Sequence, residues 1–270
     1  MQNRPSPAET YETFMVPYRF RPWADELVAR LNIGPGTRLL DVACGTGIVA
    51  RVAAEHVGTG TTIVGIDMNP AMIEVARTTA AQQGMTIEWQ VGNANALPFP
   101  DGAFDIVAIQ QALQFFPDQA GALRECFRVL APGGVIGIGV WSALEKQGLQ
   151  QPYAEAIERI TGSPAMHAPY GRISREALIN LVTDAGFEHV SVEEVTIQVT
   201  FDEPDAFVGL MVEGTSAGVP AMHGRSDEER AALAASVAAD MSGAIRTATV
   251  DGRLVSRSTS FLAQASKSSV

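Results

Sequence analysis

Asp41, Gly45, Gly47 and Asp67 are the residues whose types and spacing could do chemistry. The stretch Leu39 to Gly47, LLDVACGTG, reads as a buried strand that ends in a glycine turn, and IVARVAAEHV opens a helix directly after it. Gly45 and Gly47 supply the backbone freedom that a tight turn and the close approach of a ligand require. The pattern is that of a nucleotide-type cofactor site. Read as G-x-G-x-x-A, residues Gly45, Gly47 and Ala50 fit a dinucleotide fingerprint, with Asp67 at about the 20-residue offset of a ribose-binding acid. Against a dinucleotide stands Asp41, whose carboxylate would repel a pyrophosphate at the helix start, whereas a cationic ligand meets no such objection.

The run Asp41-Val-Ala-Cys-Gly45-Thr-Gly47 resembles the D/E-x-x-x-G-x-G first motif of the class I S-adenosylmethionine-dependent methyltransferases. A second segment, Gly92-Asn93-Ala94, then Leu97-Pro98-Phe99, Asp101 and Phe104-Asp105, is similar to one carried by the ubiquinone and menaquinone biosynthesis type and related small-molecule methyltransferases. The resemblance covers about residues 10 to 140. It implies S-adenosyl-L-methionine as cofactor, held at Asp41, Ala43, Gly45 and Gly47, with Asp67 accepting the ribose hydroxyls and Met68 and Met72 near the adenine. Asn93 stands where the family has an acid for the adenine amino group; its carbonyl can accept the same hydrogen bond without charge assistance. Ala94 would offer its backbone amide to the ring, and Gln110 would face the methionine part. Gln114 and Phe115 are expected substrate contacts.

These residues need a frame, and the chain alternates accordingly. Apolar runs at Ile63–Ile66, Ile87–Val91, Phe104–Ile109 and Val135–Val140 read as strands separated by helices. Asn69 and Pro70 open one helix, Gly84 closes it, and Ala131-Pro132-Gly133-Gly134 turns into the strand at Val135. Strand–helix alternation argues for a Rossmann-like, doubly wound α/β sheet of seven strands, mostly parallel, with an antiparallel last strand at Arg253–Ala265 and a helical cap or lid. Ser174 caps a helix running to Ala185, Val190–Phe201 alternates like a strand, and an Ala-rich helix starts near Asp227.

We read 1–270 as a single domain. Residues 1 to 9 form a loose tail, and Pro22–Leu31 is a helix within an arm spanning 1–31. The aromatic-dense stretch Thr10–Phe20 either packs as a hydrophobic strap or closes over the cofactor as a lid. Segments 141–172 and 205–245 are insertions where substrate choice should live, the first read as irregular and the second as irregular before Asp227. Tyr18, Trp141 and Tyr170 are expected to touch substrate. His167, Tyr170 and His223 are the titrating groups of the insertions, and Tyr11 or His167 would serve as base if a proton must leave. His56 and His189 read as structural.

The chain holds 19 basic and 30 acidic residues, a net charge of −11, which disfavours nucleic acid and anionic membrane surfaces and favours a small neutral or cationic partner. Cys44 and Cys126 have no metal-type partner at close spacing, and no metal is expected. No segment reads as a signal peptide or membrane span, so a cytoplasmic monomer or homodimer is expected. The expected activity is methyl transfer from S-adenosylmethionine to O, N or C of a small-molecule metabolite. The alternatives are an NAD-type oxidoreductase, for which no Tyr-x-x-x-Lys pair exists, and a non-catalytic S-adenosylmethionine-binding protein.

Overall fold

The computed structural model describes residues 5–57, 60–215 and 224–269. In chain order the elements are α1 (Pro7–Thr10), a π-helix (Tyr11–Phe20), α2 (Arg21–Arg30), β1 (Arg38–Val42), α3 (Ile48–Val57), β2 (Thr62–Asp67) and α4 (Pro70–Gln82). Then come β3 (Glu88–Val91), β4 (Phe104–Gln110), α5 (Gln119–Val129), β5 (Leu130–Trp141), α6 (Gln150–Thr161), α7 (Arg175–Asp184) and β6 (Glu188–Phe201). The last elements are α8 (Phe207–Thr215), α9 (Asp227–Ala248), β7 (Thr249–Val250) and β8 (Arg253–Ser266). The chain divides into two compact units: 1–19, 141–172 and 196–259 form the first, and 20–140, 173–195 and 260–270 the second.

The second unit carries the Rossmann-like frame. Its strands follow the order β3-β2-β1-β4-β5-β8-β6, with β1 parallel to both β2 and β4, β2 to β3, and β4 to β5. Parallel neighbours bring the carboxyl ends of β1, β2, β3 and β4 to one edge. The inner strands are buried along almost their whole length, which is why Ile106–Ile109 reads as a continuous apolar run and Leu39–Val42 as one broken only by Asp41, rather than as alternating patterns. On one face, Leu123, Cys126 and Val129 of α5 and Leu178 and Val182 of α7 join the core cluster with Val107, Ile109 and Ile136. α2 lies close to β5, because Gly137 has no Cβ; one built there would stand 2.7 Å from Leu31.

Local signals set the boundaries. The Asn69 side chain accepts from the Ala71 N–H at 3.0 Å with Pro70 at the first helical position, Ser174 accepts from Ala177 at 3.1 Å, and Gly84 leaves α4 at φ +70°. β5 begins at Leu130, earlier than expected. The expected turn survives as a bulge inside it: Phe104 pairs with Leu130 and Ile106 with Val135, so Ala131–Gly134 loops out, with Gly133 at φ +77°.

The first unit is mostly helical. Its N-terminal part is not a loose tail throughout, because Ser6 and Glu9 form a reciprocal capping box that starts α1. Tyr11–Phe20 folds as a π-helix with Pro17 inside it and Met15 and Val16 buried. The stretch read as irregular after Trp141 contains α6, and the one before Asp227 contains α8. The Tyr153 hydroxyl meets Thr215 Oγ1 at 2.8 Å, tying α6 to α8, and Arg230 Nε donates to Glu213 at 3.0 Å, tying α9 to α8. β7 pairs antiparallel with the start of β8. Among the described residues no helix is long and apolar enough to cross a membrane.

Candidate cofactor site

The glycine turn leaves β1 with Ala43, Gly45 and Gly47 all in the left-handed region, at φ +55°, +56° and +85°. Two carboxylates fix it. Asp67, at the end of β2, accepts the Gly45 N–H on Oδ2 at 2.9 Å and the Asn69 N–H on Oδ1 at 2.8 Å. Asp41 accepts the Ala50 N–H at 3.1 Å, joining the strand to the first turn of α3. It lies between Gly65 and Ala108 in register and is only 1% exposed, so it supports the turn from behind. Burial pushes the Asp41 carboxyl up to about 7; the Ala50 N–H opposes this, the nearby Asp67 charge reinforces it, and Arg51 opposes it.

Trp89 belongs to this turn and escaped the sequence reading. It sits beside Gly65 in the β2–β3 register, and its indole fills the space where Cβ atoms of both Gly65 and Gly47 would stand. The signal was present only as a glycine on one strand and a lone tryptophan on the next, meaningless until the register is known.

The rest of the strand edge holds most of the expected residues. Met68 follows Asp67 and is 77% exposed, and Met72 is half-buried on α4. The Gly92 N–H donates to the Asp67 carbonyl at 3.0 Å, which places Asn93 and Ala94 directly beyond β2. Asn93 is exposed, and its Oδ1 accepts the Asn95 N–H at 3.0 Å in an Asx turn. Gln110 ends β4, donates to the Phe20 carbonyl at 2.9 Å, and leaves its buried Oε1 without a protein donor. Gln111, also buried, has φ +53°, donates to Ser260 Oγ at 2.9 Å and likewise has an orphaned Oε1. Phe115 is half exposed, and Gln114 turns inward: it is 4% exposed and donates to the Gln111 carbonyl at 3.1 Å.

The remaining candidates lie in the first unit. The Arg19 guanidinium stands 4.9 Å from the Trp141 ring centre and 5.5 Å from that of Tyr170, and hydrogen-bonds the Tyr170 hydroxyl. Tyr18 packs on Phe201 with ring centres 4.1 Å apart. His167 Nε2 is 3.0 Å from Glu158 Oε2 on a partly exposed surface. Tyr11 is half-buried at the start of the π-helix. His223 lies outside the described residues, among which no group of His, Cys, Asp and Glu could hold a metal ion.

A family model described as a methyltransferase domain matches residues 40–138, from β1 into β5. An uncharacterised protein of Mycobacterium tuberculosis is 44% identical over 116 residues, 43% of this chain and 41% of that protein. The nocamycin O-methyltransferase of Saccharothrix syringae is 39% identical over 120 residues, 44% of this chain and 43% of that enzyme. The chain thus spans about two fifths of the length of these two curated relatives. A longer match is to the ubiquinone/menaquinone biosynthesis C-methyltransferase of Pseudoalteromonas translucida, 30% identical over 197 residues, 65% of this chain and 76% of that enzyme. The chain belongs to the class I S-adenosylmethionine-dependent methyltransferases. Among solved structures, the [4+2]-cyclase SpnF superposes with a TM-score of 0.59 at 25% identity, over 92% of this chain and 80% of that one. A phosphoethanolamine N-methyltransferase of Haemonchus contortus shares the fold, with a TM-score of 0.61 at 18% identity, over 97% of this chain and 56% of that one.

As in the rest of this methyltransferase family, S-adenosylmethionine is the cofactor, and the residues fit it. The turn at Gly45 and Gly47 has backbone angles that a side chain would strain, an acid ends β2, and a buried amide oxygen at Gln110 awaits a donor.

Proposed function

We propose that the protein transfers the methyl group of S-adenosylmethionine to O, N or C of a small-molecule acceptor. The observation that carries the reading is Asp67. Each of its oxygens accepts a single backbone N–H, and because a carboxylate oxygen has two lone pairs, each keeps capacity for a ribose hydroxyl. Asn93 and Ala94 would meet the adenine, Met68 and Met72 its faces, and Gln110 Oε1 the amino group of the methionine part. The bound cofactor supplies an electrophilic methyl on a sulfonium whose departure is neutral. The protein's share is then orientation, worth about 7–11 kcal/mol in well-aligned systems. No base is required when the acceptor already carries a lone pair. His167, paired with Glu158, and Tyr11 remain expendable in this reading.

Relatives named for O- and C-methylation, and a structural neighbour named for a cyclisation, support keeping cofactor binding and turnover as separate questions. Calorimetric titration with S-adenosylhomocysteine and NAD, on the wild type and Asp67→Ala, tests the first. Micromolar binding of the adenosyl ligand, lost in the variant, is expected; binding of NAD alone would reverse the assignment. Transfer of labelled methyl to quinone, phenol and amine acceptors tests the second, and binding without transfer to any acceptor would favour the non-catalytic alternative.

A further inference from the structure

The first unit contains a solvent-open pocket formed by its own residues. Three rings make an apolar wall: Tyr18 on Phe201 at 4.1 Å and tilted, then Phe207 edge-on to Phe201 at 5.5 Å. Such an arrangement offers faces and edges to a flat ligand.

The charge of the lining is unlike that of the chain. Against a net charge of −11, the pocket is lined, among the described residues, by Arg19 and Arg257 and by no acidic residue. Arg19 is held in place, with Nη1 donating to Gln150 Oε1 at 2.6 Å and its plane near the Trp141 ring, so its position costs a ligand little ordering. Arg257 is exposed. A planar guanidinium is suited to a carboxylate, and both arginines repel a cation. The whole-chain charge pointed to a neutral or cationic partner; the local charge points the other way.

We propose that this pocket binds a flat, apolar, ring-bearing acid, its rings against Tyr18, Phe201 and Phe207 and its carboxylate toward Arg19 and Arg257. The site belongs to the first unit alone and stands whether or not the second unit transfers a methyl.

The test is calorimetric titration of the full chain with 2-naphthoate, 2-naphthalenemethanol and 2-naphthylmethylammonium. The acid is expected to bind at least about tenfold more tightly than the alcohol, the gain of one charge-assisted contact, and the ammonium most weakly. Arg257→Gln should bring the acid down toward the alcohol. Leu210→Asp, which puts a carboxylate on a half-buried position of the same wall, should reverse the order of acid and ammonium. Saturating S-adenosylhomocysteine should leave all three affinities unchanged. Equal binding of the three compounds, no binding of the acid, indifference to both substitutions, or displacement by S-adenosylhomocysteine would each overturn the proposal. The last titration also reports on the cofactor site in the same preparation, so failure of one reading is distinguishable from failure of the other.

Discussion

The Trp89 indole occupies the space in which a Cβ on Gly47 would stand, so the cofactor turn is moulded against a side chain from the edge strand β3. Gly47 is therefore constrained twice, by its φ of +85° and by the ring. Gly47→Ala should cost about 1–3 kcal/mol for each of the two faults and abolish S-adenosylhomocysteine binding. In the double variant with Trp89→Ala the steric part returns and the backbone part does not. Urea denaturation of the two singles and the double measures the coupling; strict additivity would show that the ring and the glycine do not interact.

Asp41 makes stability depend on pH in a defined direction. Its carboxyl is raised from an ordinary 3.8 to about 7 in the folded chain, so the folded state binds its proton more tightly than the unfolded one. The associated stability is complete below about pH 4 and is lost as pH climbs toward 7, a change of roughly 4 kcal/mol at the upper limit. Asp41→Asn retains an oxygen for the Ala50 N–H and removes the titration. Relative to wild type, the variant should gain stability between pH 5 and pH 8; an unchanged difference at the two pH values would refute the assignment.

Both cysteines should be silent toward thiol reagents in the native state. Cys126 is fully buried and burial pushes its thiol up to about 12; Cys44 is buried under the glycine turn, and burial with the Asp41 and Asp67 charges raises it well above the ordinary range. Ellman titration at pH 8 is expected to count no thiol before denaturant and two afterwards.

Tyr153→Phe should lower stability by about 1 kcal/mol, the value of one neutral hydrogen bond, because Thr215 keeps its bond to the Met211 carbonyl at 2.6 Å. Cofactor affinity should not move. A loss above about 3 kcal/mol would mean that the hydroxyl does more than join α6 to α8.

The frame was legible because its signals are local. Asn69-Pro70, Ser174 and Gly84 mark helix ends through their own hydrogen bonds and φ angles, and the inner strands declare themselves by near-continuous apolar runs. The glycine turn and Asp67 were legible for the same reason. What the sequence does not report depends on contacts distant along the chain. Asp41 and Gln114 are polar residues beside a presumed site, and only burial by neighbouring strands and the Gln111 carbonyl turns them inward. α6 and α8 were hidden in stretches with few clear caps; the Leu149 side chain makes no capping bond to α6. The pocket wall joins Tyr18 to residues some 180 positions away, which no periodicity can report.

The strand order has a consequence for how the chain is made. The second half of β8, Ser260–Ser266, is made after both β5 and β6, yet its strand lies between them in the interior of the sheet. β6, synthesised some sixty residues earlier, has no settled neighbour on that side until β8 arrives. The nascent second unit must therefore hold its sheet open at this seam from the end of β5 until β8 emerges, with the edge of β5 unpaired and exposed to wrong partners.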